Sequence, residues 1–158
     1  MNILQYPHPA LTTRCNPVMD FDDVLRSELD VAKQRMNEDK GMGLAANQLG
    51  IMKRFFVMKD NKGRVWEFVN PEIINSEQQC YMPEGCLSAP GVSAQVNRAR
   101  CVTVKAQDRN GEEFMVHCED YEAICIQHEL DHLDGVFFLD KVSRQVRRRA
   151  YAQLGIKK

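Results

Sequence analysis

The stretch "IQHELDHLDG" (Ile126–Gly135) places two histidines four residues apart, with a glutamate directly after the first. Residues four apart lie one above the other on a helix face, so His128 and His132 can aim imidazole nitrogens at one cation. Glu129 is rotated by about 100° from His128. That angle makes it a poor third ligand but leaves it within reach of a water on the cation, the H-E-x-x-H logic of metal-assisted hydrolysis. The pattern alone is short enough to arise by chance, and a wet helix face or a satisfied core pair fits it too. A metal reading needs a third ligand.

Outward from this segment, the chain alternates helix and strand signals. The residues from about 120 to 134 read as a helix, with Gly135 near its C-cap. Upstream, "DDVLRSELDVAKQRMNEDKG" spaces Leu25, Leu29, Ala32 and Met36 for a helix stopping near Gly41. "RFFVM", "KDNKG", "RVWEFVN" reads as strand, turn, strand, and "CVTVKAQ", "DRNG", "EEFMVHC" as a second hairpin turning at Asn110-Gly111. A third helix is expected over about 141–154. The expected class is α+β: antiparallel sheets packed around the central His-bearing helix, with an N-terminal and a C-terminal helix.

The 158 residues fit one domain, and a net charge of −1 does not suit a general nucleic-acid or membrane binder. No apolar run approaches the ~20 residues of a membrane span. The start, "MNILQYPHPALTTRC", lacks a basic region followed by an apolar core, so a cytoplasmic location is expected. The cysteines, 15, 80, 86, 101, 118 and 125, have no repeating spacing and no C-x-x-C. Most are expected to be small buried residues rather than a disulfide framework.

Candidates for the third ligand are His8, His117, Asp134, Asp140 and a cysteine. No His or Glu follows the helix in "LDGVFFLDKVSRQ", where zincin-type peptidases often place it. Upstream, "MPEGCLSAPGV" sets Cys86 in a Gly/Pro-rich stretch suited to presenting a sulfur. "GMGLAANQLGI" (Gly41–Ile51) by itself reads only as a helix stop and a tight turn.

Together, G-x-G-L-A-A-x-Q, then E-G-C-L-S, then Q-H-E-x-D-H-L, in that order, resemble the three signature motifs of the peptide deformylases, over most of the chain. The resemblance implies hydrolysis of the formyl group from the formyl-methionine of nascent polypeptides. It implies Cys86, His128 and His132 as ligands of one divalent metal, Fe(II) in the cell, with zinc, nickel or cobalt accepted. Glu129 becomes the general acid/base, and Gln48 with the backbone N–H of Leu87 faces the formyl oxygen. Met42, Ile124, Cys125 and His128 line the methionine pocket, and Gly41, Gly43 and Gly85 let backbone approach the substrate. Members are usually monomers.

Two positions depart from the family's common pattern. Asn47 stands where proline is frequent, which predicts looser positioning of Gln48. Ser93 stands where arginine is common, which predicts weaker contact with the distal peptide. The end of the chain, "KVSRQVRRRAYAQLGIKK", carries +7 on eighteen residues, against −8 for the other 140. Val142, Val146, Ala150 and Leu154 can pack on the body while the arginines face outward. Deformylases of bacteria use a C-terminal helix at the ribosomal exit, so ribosome docking is the expected role. The alternatives are a zincin-type metallopeptidase and a non-catalytic metal-binding module.

Overall fold

The computed structural model describes residues 1–156. One antiparallel sheet in the order β1-β2-β3-β4-β5 organises the molecule. Its strands are β1 (Gly43–Ala45), β2 (Phe55–Lys59), β3 (Val65–Cys86), β4 (Ala89–Gln107) and β5 (Glu113–Glu119). Around it lie α1 (Asp23–Glu38), α2 (Asp120–Leu133) and α3 (Arg144–Leu154). The mixed α+β class expected from the sequence is the class observed, and both expected hairpins are present within this sheet.

Strand β2 shows why the sheet takes helices on both faces. Its residues "FFVM" are all buried, and side chains alternate between faces along a strand. Phe55 and Val57 join Leu25, Leu29, Ala32 and Met36 of α1 in one core. Phe56 and Met58 join Phe68, Val102, Val104 and the α2 residues Ala123, Ile126, Leu130 and Leu133 in another. Each fully buried Leu or Phe in these layers contributes roughly 1.5–3 kcal/mol. A third core packs the N-terminal segment, Phe137–Leu139 and α3 onto the first half of β4, Ala89–Val96.

Helix boundaries follow from capping. Asp22 accepts a hydrogen bond from Leu25 N (3.0 Å) and starts α1. Ser143 accepts from Val146 N (3.3 Å), so α3 begins at Arg144 rather than at 141. Past the end of α2, Gly135 has φ +74°, and a Cβ there would lie 2.8 Å from the Thr12 backbone. Only glycine satisfies both the left-handed conformation and this close approach.

The expectation of a turn-rich stretch around "MPEGCLSAPGV" is corrected. Residues 72–86 of β3 pair with β4 in a long ribbon, and Leu87-Ser88 form its two-residue turn, with Cys86 opposite Ala89. Strand β2 pairs β3 only over Val65–Val69, so the other side of this ribbon is unpaired. An unpaired side tolerates Pro83, which lacks an N–H. Cys86 therefore closes a strand rather than sitting in a loop. No helix among the described residues is long and apolar enough to cross a membrane.

Candidate active site

A cavity of about 610 Å³ opens between the β3–β4 turn, the segment Lys40–Gly43 and one face of α2. Cys86 comes from the end of β3, and His128 and His132 from successive turns of α2. Their ligand atoms all lie within 4.8 Å of one another, and Cys86 Sγ is 3.3 Å from His132 Nε2. Both imidazoles are buried, as is Glu129 beside them.

Each of the three is held by neighbours. The backbone N–H of Ser88 donates to Cys86 Sγ at 3.4 Å. His128 Nδ1 lies 2.8 Å from Glu84 Oε1, which leaves Nε2 as the nitrogen with a free lone pair when Nδ1 donates. Burial lowers the His128 imidazole, but hydrogen bonds to Cys86 and Glu84 outweigh it and carry its pKa well above the ordinary value. Burial together with the His128 charge drives His132 the other way and favours its neutral form.

Glu84 belongs to a buried ion-pair relay that the sequence reading did not assign. Arg98 donates to both Glu84 oxygens (2.7 and 2.9 Å) and to Asp131 Oδ2 (2.6 Å), and Lys141 reaches the same Asp131 oxygen at 3.2 Å. Arg98 and Glu84 expose only 2% and 5% of their side chains, so each would be an uncompensated buried charge without the other. A usable signal was present: Val92, Ala94 and Val96 alternate inward on β4, and Arg98 continues that inward register. A charged residue at a core-facing position asks for a partner.

Gln48 is buried and fixed at both ends of its amide. Its Oε1 accepts from Ala45 N (2.9 Å), and its Nε2 donates to Ser88 Oγ (3.1 Å) while lying 3.7 Å from Cys86 Sγ. Asn47 is not slack, contrary to expectation. It is fully buried, and its Nδ2 donates to the carbonyl oxygens of Ala10 and His132, tying the Gln48 segment to the end of α2. Met42, Gly43, Gly85, Leu87, Ile124 and Cys125 all line the cavity, and exposed Ser93 sits at its rim. A Cβ on Gly43 would stand 2.6 Å from Glu129 Oε2 and 3.0 Å from Cys125 Sγ, so the carboxylate packs against bare backbone.

The Glu129 carboxyl is pushed up to about 7, chiefly by burial. Its Oε1 is buried with no hydrogen-bond partner among the described residues. An orphaned carboxylate oxygen beside one sulfur and two imidazoles fits a site built for a divalent cation with a polar group on its open side.

The family model for polypeptide deformylase matches residues 1–148. The chain belongs to this family. It is 44% identical to peptide deformylase 1 of Shewanella oneidensis over 156 residues, covering 98% of this chain and 93% of that protein. Identity to the peptide deformylase of Chromobacterium violaceum is 43%, with the same coverage. The crystal structure of a peptide deformylase from Legionella pneumophila superposes with a TM-score of 0.94 at 38% identity, covering 98% of this chain and 92% of that one. Deformylases are metal-dependent, and half-buried Cys86 with buried His128 and His132 is a candidate donor set for that metal.

Proposed function

We propose that this chain removes the formyl group from the N-terminal formyl-methionine of newly made polypeptides, releasing formate, with Cys86, His128 and His132 holding one divalent cation. The observation that carries this reading is the Cys86–His128–His132 set, both histidines buried, with the orphaned Glu129 carboxylate beside it at the wall of the cavity that Cys86, His128 and Glu129 line. Fe(II) is the ion proposed for the cell, with zinc, nickel or cobalt able to replace it, since one thiolate and two imidazoles suit all of them. When bound, such an ion supplies Lewis acidity and lowers the pKa of water.

Glu129 takes a proton from the attacking water and passes one to the peptide nitrogen as the formyl C–N bond breaks. A carboxyl near pH 7 is suited to both transfers. Gln48 Nε2 and the backbone N–H of Leu87 donate to the formyl oxygen as negative charge develops on it. The bond from Ala45 N holds the Gln48 amide so that its N–H group faces the site. Met42, Ile124 and Cys125 contact the methionine side chain, with Ile124 and Cys125 one turn before His128 on its own helix face. Gly43 and Gly85 allow the peptide backbone close to Glu129 and Cys86. Ser93 offers no charge to the distal peptide.

Helix α3 is proposed as the ribosome-facing element of a monomeric protein. Val142, Val146, Ala150 and Leu154 pack against the body, and Arg144, Arg148 and Arg149 form an exposed basic hollow. Lys157 and Lys158, also part of the basic tail, lie outside the described residues.

The test is formate release from a formyl-Met peptide by anaerobically purified protein, with bound metal counted in parallel. Free formate with the peptide chain intact supports the reading. Cleavage within the peptide would indicate a metallopeptidase, and metal without turnover a binding module.

A further inference from the structure

The sheet face turned away from α2 brings a second cysteine, histidine and carboxylate together. Val102, Val104 and Cys118 point into the core with α2, so the alternate residues Cys101, Thr103, His117 and Glu119 lie on the opposite face, where Cys101 is buried and His117 and Glu119 are exposed. Cys101 is directly opposite Glu119, and Thr103 opposite His117. We propose that Cys101, His117 and Glu119 form a second site for a zinc-class divalent cation, separate from the catalytic cavity.

Three observations support it. Their ligand atoms lie within 4.8 Å of one another, although the three residues come from two different strands. A sulfur, an imidazole nitrogen and a carboxylate oxygen are together a recognised zinc donor set, bound at about 2.0–2.3 Å. His117 and Glu119 have side chains more than half exposed, so small rotations close the remaining distance at little packing cost.

The histidine is already oriented for this. Its Nδ1 lies 3.2 Å from Thr103 Oγ1, and its Nε2 3.3 Å from Glu119 Oε1. The Glu119 carboxylate only accepts, so without an ion Nε2–H donates to it and Nδ1 accepts from the Thr103 hydroxyl. Once an ion displaces the Nε2 proton, Thr103 Oγ1 accepts from Nδ1–H instead, as outer-shell partners of metal-bound histidines do. Glu119 is the N-cap residue of α2, yet its side chain makes no capping bond. It is therefore available as a ligand.

The charge balance is favourable. A thiolate and a carboxylate neutralise a divalent cation, and Glu77 lies opposite Cys101 on its other side, from β3. The nearest strand cation, Arg100, is engaged by Asp120 (2.8 Å) and Gln78 (2.9 Å). None of Cys101, His117 and Glu119 lines the catalytic cavity. Three protein ligands leave one position to water at the sheet surface, and Cys101 gives up its thiol proton to solvent on binding.

The experiment counts bound zinc at saturating, buffered free zinc, in the full chain. The wild type should hold two equivalents, and Cys101→Ser and His117→Ala one each, with formyl-Met peptide turnover unchanged in both. Unchanged turnover also shows that the variants fold. Cys86→Ser should retain one equivalent, and Cys86→Ser combined with Cys101→Ser none. A single equivalent in the wild type, or two equivalents in both His117→Ala and Cys101→Ser, overturns the site. So does loss of the second equivalent from Cys101→Ser alone, because His117 would then not be a ligand.

Discussion

Two clusters in this protein use nearly the same donors, and their surroundings set them apart. Cys86, His128 and His132 are gathered from a strand end and a helix face, while Cys101, His117 and Glu119 are gathered across two strands. The first histidines are buried and the second is exposed. The first cluster rests on a charged relay, Glu84–Arg98–Asp131, with Glu84 and Arg98 buried, and the second on one hydroxyl. Only the first has a buried carboxylate without a partner and a cavity with apolar walls. Donor identity therefore decides what can bind, and enclosure decides whether chemistry follows.

The strongest way to break that comparison is to make one substitution in both places. Cys86→Ser should lose the catalytic cation and nearly all turnover, because a hydroxyl does not ionise as a thiol does. Cys101→Ser should leave turnover at the wild-type level. Rates on a formyl-Met peptide, with metal content from the same preparations, check both. Equal losses would mean the two clusters are coupled and the contrast drawn here is mistaken.

The next effect separates chemistry from coordination inside the first cluster. Glu129→Gln preserves shape and places its amide where Glu129 Oε1 has no partner. Metal content should stay the same while kcat falls ~10²–10⁴-fold, the usual contribution of a positioned acid/base group. A near-normal kcat would remove Glu129 from the proton transfers.

The two clusters also differ in how far the sequence alone exposes them. His128, Glu129 and His132 are close in the chain, so helix periodicity alone puts them on one side of α2. Cys86 needed the motif resemblance, because its distance to His132 is set by the β3–β4 turn. That ribbon was hidden for a local reason: Pro71, Pro83, Pro90, Gly85 and Gly91 punctuate it, and "INSEQQ" lacks alternation. Its strands persist because bulges between Val69 and Glu72 and between Ile73 and Asn75 absorb the irregularity. The Glu84–Arg98 pair and the Cys101–Glu119 pair depend on strand register, which no local pattern fixes. His117 was weighed only as a possible third ligand at a strand end, and it belongs to the other cluster.

A smaller effect probes the supports. Glu84→Gln keeps a hydrogen-bond acceptor for His128 but removes the charge that Arg98 holds. Loss of such an outer partner costs ~10–100-fold in metal affinity. Competition with a chelator of known affinity reads that loss directly, and turnover of fully loaded protein should change far less. An unchanged affinity would make the relay a folding device only.

The smallest effect lies at the exposed cluster and sharpens the contrast from its other side. Without added metal, His117→Ala removes one solvent-exposed side chain whose contacts are to Thr103 and Glu119. Surface changes of this kind usually shift stability within about 0.5 kcal/mol. Thermal unfolding in chelator should therefore scarcely distinguish variant from wild type. Adding zinc changes the expectation, because an ion that binds only the folded chain stabilises it in proportion to the logarithm of its free concentration over Kd. The catalytic site contributes that rise in both proteins, so the difference between their melting curves isolates the outer site. Wild type should gain more than His117→Ala as zinc is raised, and Cys101→Ser should follow His117→Ala. Parallel gains in all three would leave the catalytic set as the sole source of zinc stabilisation.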